Sequence, residues 1–180
     1  AQSTDEIDAI VDARPYRDPA EVERQGRHEL GLALCEAFGR ERLPISTLTS
    51  PLPRCQSLWT MVGMMTMLRE RPDLVHHAAG RFLEYEIKRA KLAALLGARA
   101  VWIQETYMDY LAPEDFREFN LPVMRDLVEA IHAEGMAAVY YHTGDPRPHW
   151  DLLLEVGADA LAFEESKKGF DVDIVSIAER

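Results

Sequence analysis

Met136-Ala137-Ala138-Val139-Tyr140-Tyr141-His142-Thr143-Gly144-Asp145 is a short apolar run, rich in β-formers, that passes without a break into a polar turn. Gly135 before it is the kind of residue that ends a helix, and Pro146 after it stops a strand. The run therefore reads as a buried strand. Its carboxyl end delivers His142 and Asp145 to a tight turn, which is where α/β proteins build sites. A structural strand with a polar turn would give the same string.

Working outward, the same unit recurs on both sides. Leu96-Gly97-Ala98-Arg99-Ala100-Val101-Trp102-Ile103-Gln104-Glu105 resembles Val156-Gly157-Ala158-Asp159-Ala160-Leu161-Ala162-Phe163-Glu164-Glu165. Each has a helix end, a glycine, an apolar strand and an acid at the strand's carboxyl end. Strands are expected at Pro44–Ser50, Arg99–Glu105, Ala137–His142 and Asp159–Glu164. Helices are expected near Glu6–Asp12, over Pro19–Phe38 behind an Asp18 cap, over Leu58–Arg69, and from an Asp73 cap to Leu96. Others start at Ala112-Pro113 and at Leu121-Pro122, the latter ending near Glu134, with further helix over Pro148–Glu155 and Ile174–Glu179. Pro51-Leu52-Pro53 reads as a break, and the methionines Met61, Met64, Met65 and Met67 as core filler. Helix–glycine–strand units without hairpin signals imply a parallel sheet. Four such units make a small open sheet or half of a (β/α)8 barrel; a whole barrel needs about 250 residues, and this chain has 180.

A net charge of -11 argues against nucleic acid, whose phosphates need a basic surface. Apolar residues make up 47% and charged residues 28%, as in soluble globular domains. No apolar run is long enough for a bilayer, and the start shows no signal-peptide pattern, so no membrane association is expected. Cys35 and Cys55 stand in no close-spaced motif and read as reduced thiols of a cytoplasmic protein.

Strand alternation puts Val101, Ile103 and Glu105 on one face of the second strand and Trp102 and Gln104 on the other. The greasier face should meet the helices, so Gln104 and Glu164 are expected to point inward, with Glu105 and Glu165 in the loops. Glu105, His142 and Glu164 would share one mouth at the strands' carboxyl ends and are the candidate catalytic residues. Tyr107, Gln104, Tyr140, Asp145 and Lys167 are candidate substrate contacts, with Tyr141, Arg147 and Lys168 nearby. Ala138, Tyr140, Ala160 and Ala162 are expected to line the inner face. The bland alternatives are packing tyrosines, capping acids and a solvated basic loop.

From about Asp18 onward the chain resembles the uroporphyrinogen decarboxylase superfamily, which includes cobalamin-dependent methyltransferases. The matching stretches are Arg71-Pro72-Asp73-Leu74-Val75, Gly97-Ala98-Arg99-Ala100-Val101, Leu111 to Phe119 followed by Leu121-Pro122, and Tyr141-His142-Thr143-Gly144-Asp145; Glu164-Glu165-Ser166-Lys167-Lys168-Gly169-Phe170 is similar to a stretch in methyltransferase-like members. The resemblance implies a (β/α)8 barrel of which this chain is the second half, strands four to seven. It implies an enzyme acting on a small molecule: corrinoid-dependent methyl transfer, with the cobalamin on a partner protein, or decarboxylation of a porphyrinogen. An inactive barrel fragment is the reading from a different class. In the methyltransferase branch the histidine matching His142 is a zinc ligand in a His-x-Cys-Gly pattern; here the cysteine is absent. A set of His142 with Asp145 and Glu164 or Glu105, or a metal-free His142, are the alternatives. Half a barrel leaves two strand edges unpaired, so a homo-oligomer or a longer chain is expected.

Overall fold

The computed structural model describes residues 1–164, 169–173, 175 and 177. Four strands, β1 (Ile45–Thr49), β2 (Ala100–Glu105), β3 (Ala137–His142) and β4 (Ala160–Phe163), form one sheet in the order β1-β2-β3-β4, each pair parallel. Spatial order follows chain order, as the repeated helix–glycine–strand pattern requires. Helices connect each strand to the next along one face: α4 (Pro51–Arg54), α5 (Gln56–Glu70) and α6 (Pro72–Leu95) after β1; α7 (Pro113–Asp115) and α8 (Leu121–Ala133) after β2; α9 (Trp150–Glu155) after β3. Ahead of β1 lie α1 (Thr4–Asp12), α2 (Pro19–Arg24) and α3 (Glu29–Phe38).

The register fixes the two faces of the sheet. Leu48, Ile103, Tyr140 and Leu161 align across the strands, and the first three are buried in a single core with Phe82 of α6 and Met124, Leu127 and Ile131 of α8. The opposite face carries Thr49, Gln104, Tyr141 and Ala162 in register and stays open, with only the Trp102 and Tyr141 rings tilted together at 4.9 Å. Among the described residues nothing covers that face, which in a closed barrel would be the interior.

Several local expectations are corrected. The helix expected over Pro19–Phe38 is two helices, because Gly26 turns the chain at φ +68. The first helix starts at Thr4, ahead of the expected Glu6, because Ser3 caps it, accepting from the Glu6 N–H at 3.3 Å. Pro51 opens a helical turn instead of breaking the chain, which its fixed φ at the first helical position favours. The helix after it runs Gln56–Glu70 and bends at Thr60, whose φ is 61. Arg71, not Asp73, precedes the first residue of α6; Asp73 lies in its first turn and pairs with Arg71. Met64 and Met67 are buried as core filler. The basic loop falls mostly on residues 165–168, outside the described residues. Of the expected last helix only Val175 and Ile177 are described, both helical.

Candidate active site

Glu105 and His142 end adjacent strands and stand opposite each other in the register. Both lie on the helix-facing side with Ile103 and Tyr140, and both are buried, at 0% and 1% exposure. Burying a carboxylate is costly unless it is hydrogen-bonded, and the surrounding elements supply donors. Oε1 of Glu105 accepts from Ser50 Oγ at 2.9 Å and from Asn120 Nδ2 at 2.7 Å. Ser50 follows β1 immediately. Asn120 is carried in by a π-helical segment, Phe116–Asn120, between α7 and α8, the kind of wide turn that recurs at functional sites. Oε2 of Glu105 lies 3.7 Å from Nδ1 of His142. Neither ring nitrogen of His142 has a hydrogen-bond partner among the described residues. The His149 ring lies 5.9 Å from that of His142, and its Nε2 is 3.0 Å from the Leu111 carbonyl. Burial holds the His149 imidazole below its ordinary range.

Above this cluster the loops after β2 and β3 meet Glu164 at the end of β4. Tyr107 takes a left-handed conformation, φ 65, and its N–H donates to Thr143 Oγ1 at 3.2 Å. That turn launches a short 3-10 segment, Met108–Tyr110, which buries Met108. The Tyr107 and Tyr110 rings remain exposed and stack at 6.4 Å. Gly144, φ +88, brings its backbone hard against Asp109: a Cβ there would overlap the Asp109 carboxyl. The Gly144 N–H donates to Glu164 Oε2 at 3.0 Å. Burial raises the Asp109 carboxyl above the usual carboxylate range, opposed by its electrostatic interaction with His142. Asp145 holds the Arg147 guanidinium with both oxygens, which keeps its own carboxyl low.

The structure thus brings together Glu105, His142, Asp145 and Glu164 at the carboxyl ends, with β3 between β2 and β4 as expected. It corrects their facing. Glu105 is no loop residue but the buried end of β2, and His142 points to the helical side beneath the mouth, not into the open face. Tyr140 is 0% exposed and lies in the core on the helix-facing side, not on the open face where it was expected. Ala138 is buried beside it; Tyr141 and Val139 line the open face in their place, because alternation puts odd-numbered β3 residues there. Gln104 lies on the open face, the inward side of a closed barrel, as expected, and Tyr107 is exposed at the mouth. Lys167 lies outside the described residues. Asp109, Ser50, Asn120 and His149 were missed. The π-forming Phe116–Asn120 stretch has no sequence signature, and the partner of the glycine at position 144 is revealed only by the fold.

No three His, Cys, Asp or Glu side chains among the described residues converge to hold a metal ion. Cys55 is buried, and burial pushes its thiol far up; Cys35 touches the Leu96 and Gly97 carbonyls at the opposite end of β2. A thiolate zinc centre at His142 does not fit these residues.

A parallel β/α sheet with polar groups gathered at its carboxyl ends is the arrangement of barrel-type enzymes. The chain belongs to the uroporphyrinogen decarboxylase (URO-D) family, whose model matches residues 30–175. It is 25% identical over 170 residues to a uroporphyrinogen decarboxylase of Xanthomonas euvesicatoria, covering 83% of this chain and 48% of that one. It is 26% identical over 98 residues to the uroporphyrinogen decarboxylase of Myxococcus xanthus, covering 54% of this chain and 28% of that one. The chain spans less than half the length of both relatives. Its fold is similar to that of a methyltransferase from Methanosarcina mazei, with a TM-score of 0.67 at 18% identity, over 74% of this chain and 40% of the other. No helix among the described residues is long and apolar enough to cross a membrane.

Proposed function

We propose that this chain carries part of the active site of a URO-D superfamily enzyme that transfers a methyl group between a small molecule and a corrinoid held by a partner protein. The observation that supports methyl transfer over porphyrinogen decarboxylation is the charge at the strand ends. A porphyrinogen with its acetate and propionate arms is a polyanion and needs cationic clamps. The described groups at this mouth are Asp109, Asp145 and Glu164, above Glu105, and the guanidinium of Arg147 is already held by Asp145. The described part of the mouth therefore disfavours a polycarboxylate.

In this reading the chain's own groups position the acceptor and handle its proton. Glu105, fixed by Ser50 and Asn120 through Oε1, sets the charge of Oε2 3.7 Å from His142 Nδ1, within electrostatic reach of the ring but not hydrogen-bonded to it. With the proton on Nδ1, Nε2 keeps a lone pair. That lone pair and the carboxylate of Asp109 are the bases nearest the mouth for an acceptor that loses its proton as it takes the methyl group. The corrinoid, when docked, supplies the methyl group. Zinc is not part of the proposal.

The test is a two-arm assay. Incubation with methylcobalamin and a small acceptor, a thiol in one run and an amine in another, should bleach the methylcobalamin spectrum in at least one of them, with the rate lowered at least about a hundredfold in His142→Ala. Uroporphyrinogen should be left intact. Conversion of uroporphyrinogen to coproporphyrinogen, or turnover of neither substrate, would overturn the reading.

A further inference from the structure

The cluster above His142 has features that the reaction class does not account for. Asp109 forms no salt bridge among the described residues, although half-buried. Desolvation pushes its carboxyl up by more than His142, His149 and its own backbone N–H pull it down. The carboxyl is nonetheless held in place: the left-handed Tyr107, pinned to Thr143, aims the loop, and Gly144 makes room for it. A strained non-glycine residue at a mouth is retained when the surrounding structure over-determines it. Glu164 reaches the same glycine from β4, through the Gly144 N–H. From below, His142 bears on Asp109 with both ring nitrogens unpartnered at 1% exposure. On the same loop the Tyr107 and Tyr110 rings stand 52% and 68% exposed.

These groups share one preference. Carboxylates attract positive charge, a neutral imidazole lone pair accepts an N–H, and tyrosine faces attract cations. Among the described residues an anion would meet the Asp109 and Glu164 carboxylates here, and a neutral apolar ligand would leave the Asp109 charge without a partner. We propose that this mouth binds the protonated nitrogen of a small amine, with Asp109 as its counter-charge and Tyr107 and Tyr110 as its aromatic wall. Gly144 is then a specificity element, since any side chain there would displace the Asp109 carboxyl. The inference narrows the substrate class of the proposed enzyme but rests on mouth charge alone, so it stands or falls separately from the corrinoid.

Calorimetric titration with ethylammonium chloride tests it, with sodium acetate and sodium chloride at equal ionic strength as comparators. The amine should bind saturably and acetate should not. Asp109→Asn should weaken amine binding by about tenfold or more, and Gly144→Ala should weaken it too. Tyr107→Phe keeps the ring face and should bind nearly as the parent does, whereas Tyr107→Ala should not. Circular dichroism identifies any variant that fails to fold, and the Tyr107 pair then carries the test. Binding of acetate in place of the amine, no saturable amine binding, or amine binding unchanged in Asp109→Asn would overturn the proposal. Because no methyl transfer is read, a failed methylcobalamin assay leaves this result interpretable.

Discussion

At the scale of single residues, the buried imidazole of His149 makes a pH-dependent contribution to stability. Its folded pKa lies below the ordinary value because burial disfavours the charged ring. In the unfolded chain it titrates near about 6.5. Above that pH both states are neutral and nothing is lost. As pH falls through about 6.5 the unfolded state takes up a proton first, and stability declines until the folded pKa is reached. His149→Phe removes the titration and should give a shallower loss of stability between about pH 7 and 5 in urea melts, with a constant offset of about 1 kcal/mol from the lost bond to the Leu111 carbonyl. An unchanged slope would show that His149 is not the titrating group. Of the site residues, those at strand ends were legible. Glu105, His142 and Glu164 follow apolar strands, and strand ends share a face in any parallel β/α sheet. Which way they point was not legible, since a residue at the end of a strand is where the pleat gives way to the loop. Asp109 was invisible because its significance comes from Gly144, which is 35 positions away in the chain and touches it only after β2 and β3 pair.

At the scale of elements, one buried acid holds the edge strand to its helix. Glu86 of α6 is fully buried and takes Arg54 Nε at 2.7 Å, Arg54 Nη2 at 2.6 Å and Arg89 Nη1 at 2.7 Å. Arg89 also donates to the Thr47 carbonyl of β1 at 3.2 Å. Three elements, α4, α6 and β1, thus meet on one carboxylate. Glu86→Ala leaves two guanidinium groups facing each other without their counter-charge, and should cost about 3–5 kcal/mol in denaturant unfolding with an unchanged m-value. A loss below about 1 kcal/mol would mean that solvent replaces the carboxylate there. The sequence showed the strands and their parallel order because each apolar run is preceded by a helix and a glycine. It misplaced helix ends where a single residue overrides the pattern: Gly26 splits a helix that reads as one, and Pro51 starts a turn where proline usually signals a stop. The π segment that delivers Asn120 has good helix patterning on both sides, so nothing local distinguishes it from α-helix.

At the scale of the whole molecule, the described helices lie on one side of the sheet only. Thr49, Trp102, Gln104, Tyr141 and Ala162 face away from those helices, and the outer edges of β1 and β4 have no strand beside them among the described residues. An uncovered parallel sheet is unusual, because such sheets are normally buried on both faces, and free edges invite pairing. A second apolar surface adds to this: Leu30, Leu34 and Phe38 of α3 and Leu43 and Ile45 at the foot of β1 are all exposed. The described strands suit a two-fold closure. Two copies related by such an axis would set β4 of each beside β1 of the other, in parallel, and give eight strands around one interior. Four further β/α units on the same polypeptide would cover the same surfaces. In either case the 20.4 kDa chain alone should not be a stable monomer. Light scattering combined with intact-chain mass spectrometry separates the outcomes. A particle of about twice the chain's mass, with each chain at its sequence mass, supports closure by a second copy. A single chain of larger intact mass supports closure by its own remaining units. A monodisperse monomer at the mass of this sequence, stable over days, would mean that the open face is tolerated in water and that the barrel-half reading of this surface is wrong.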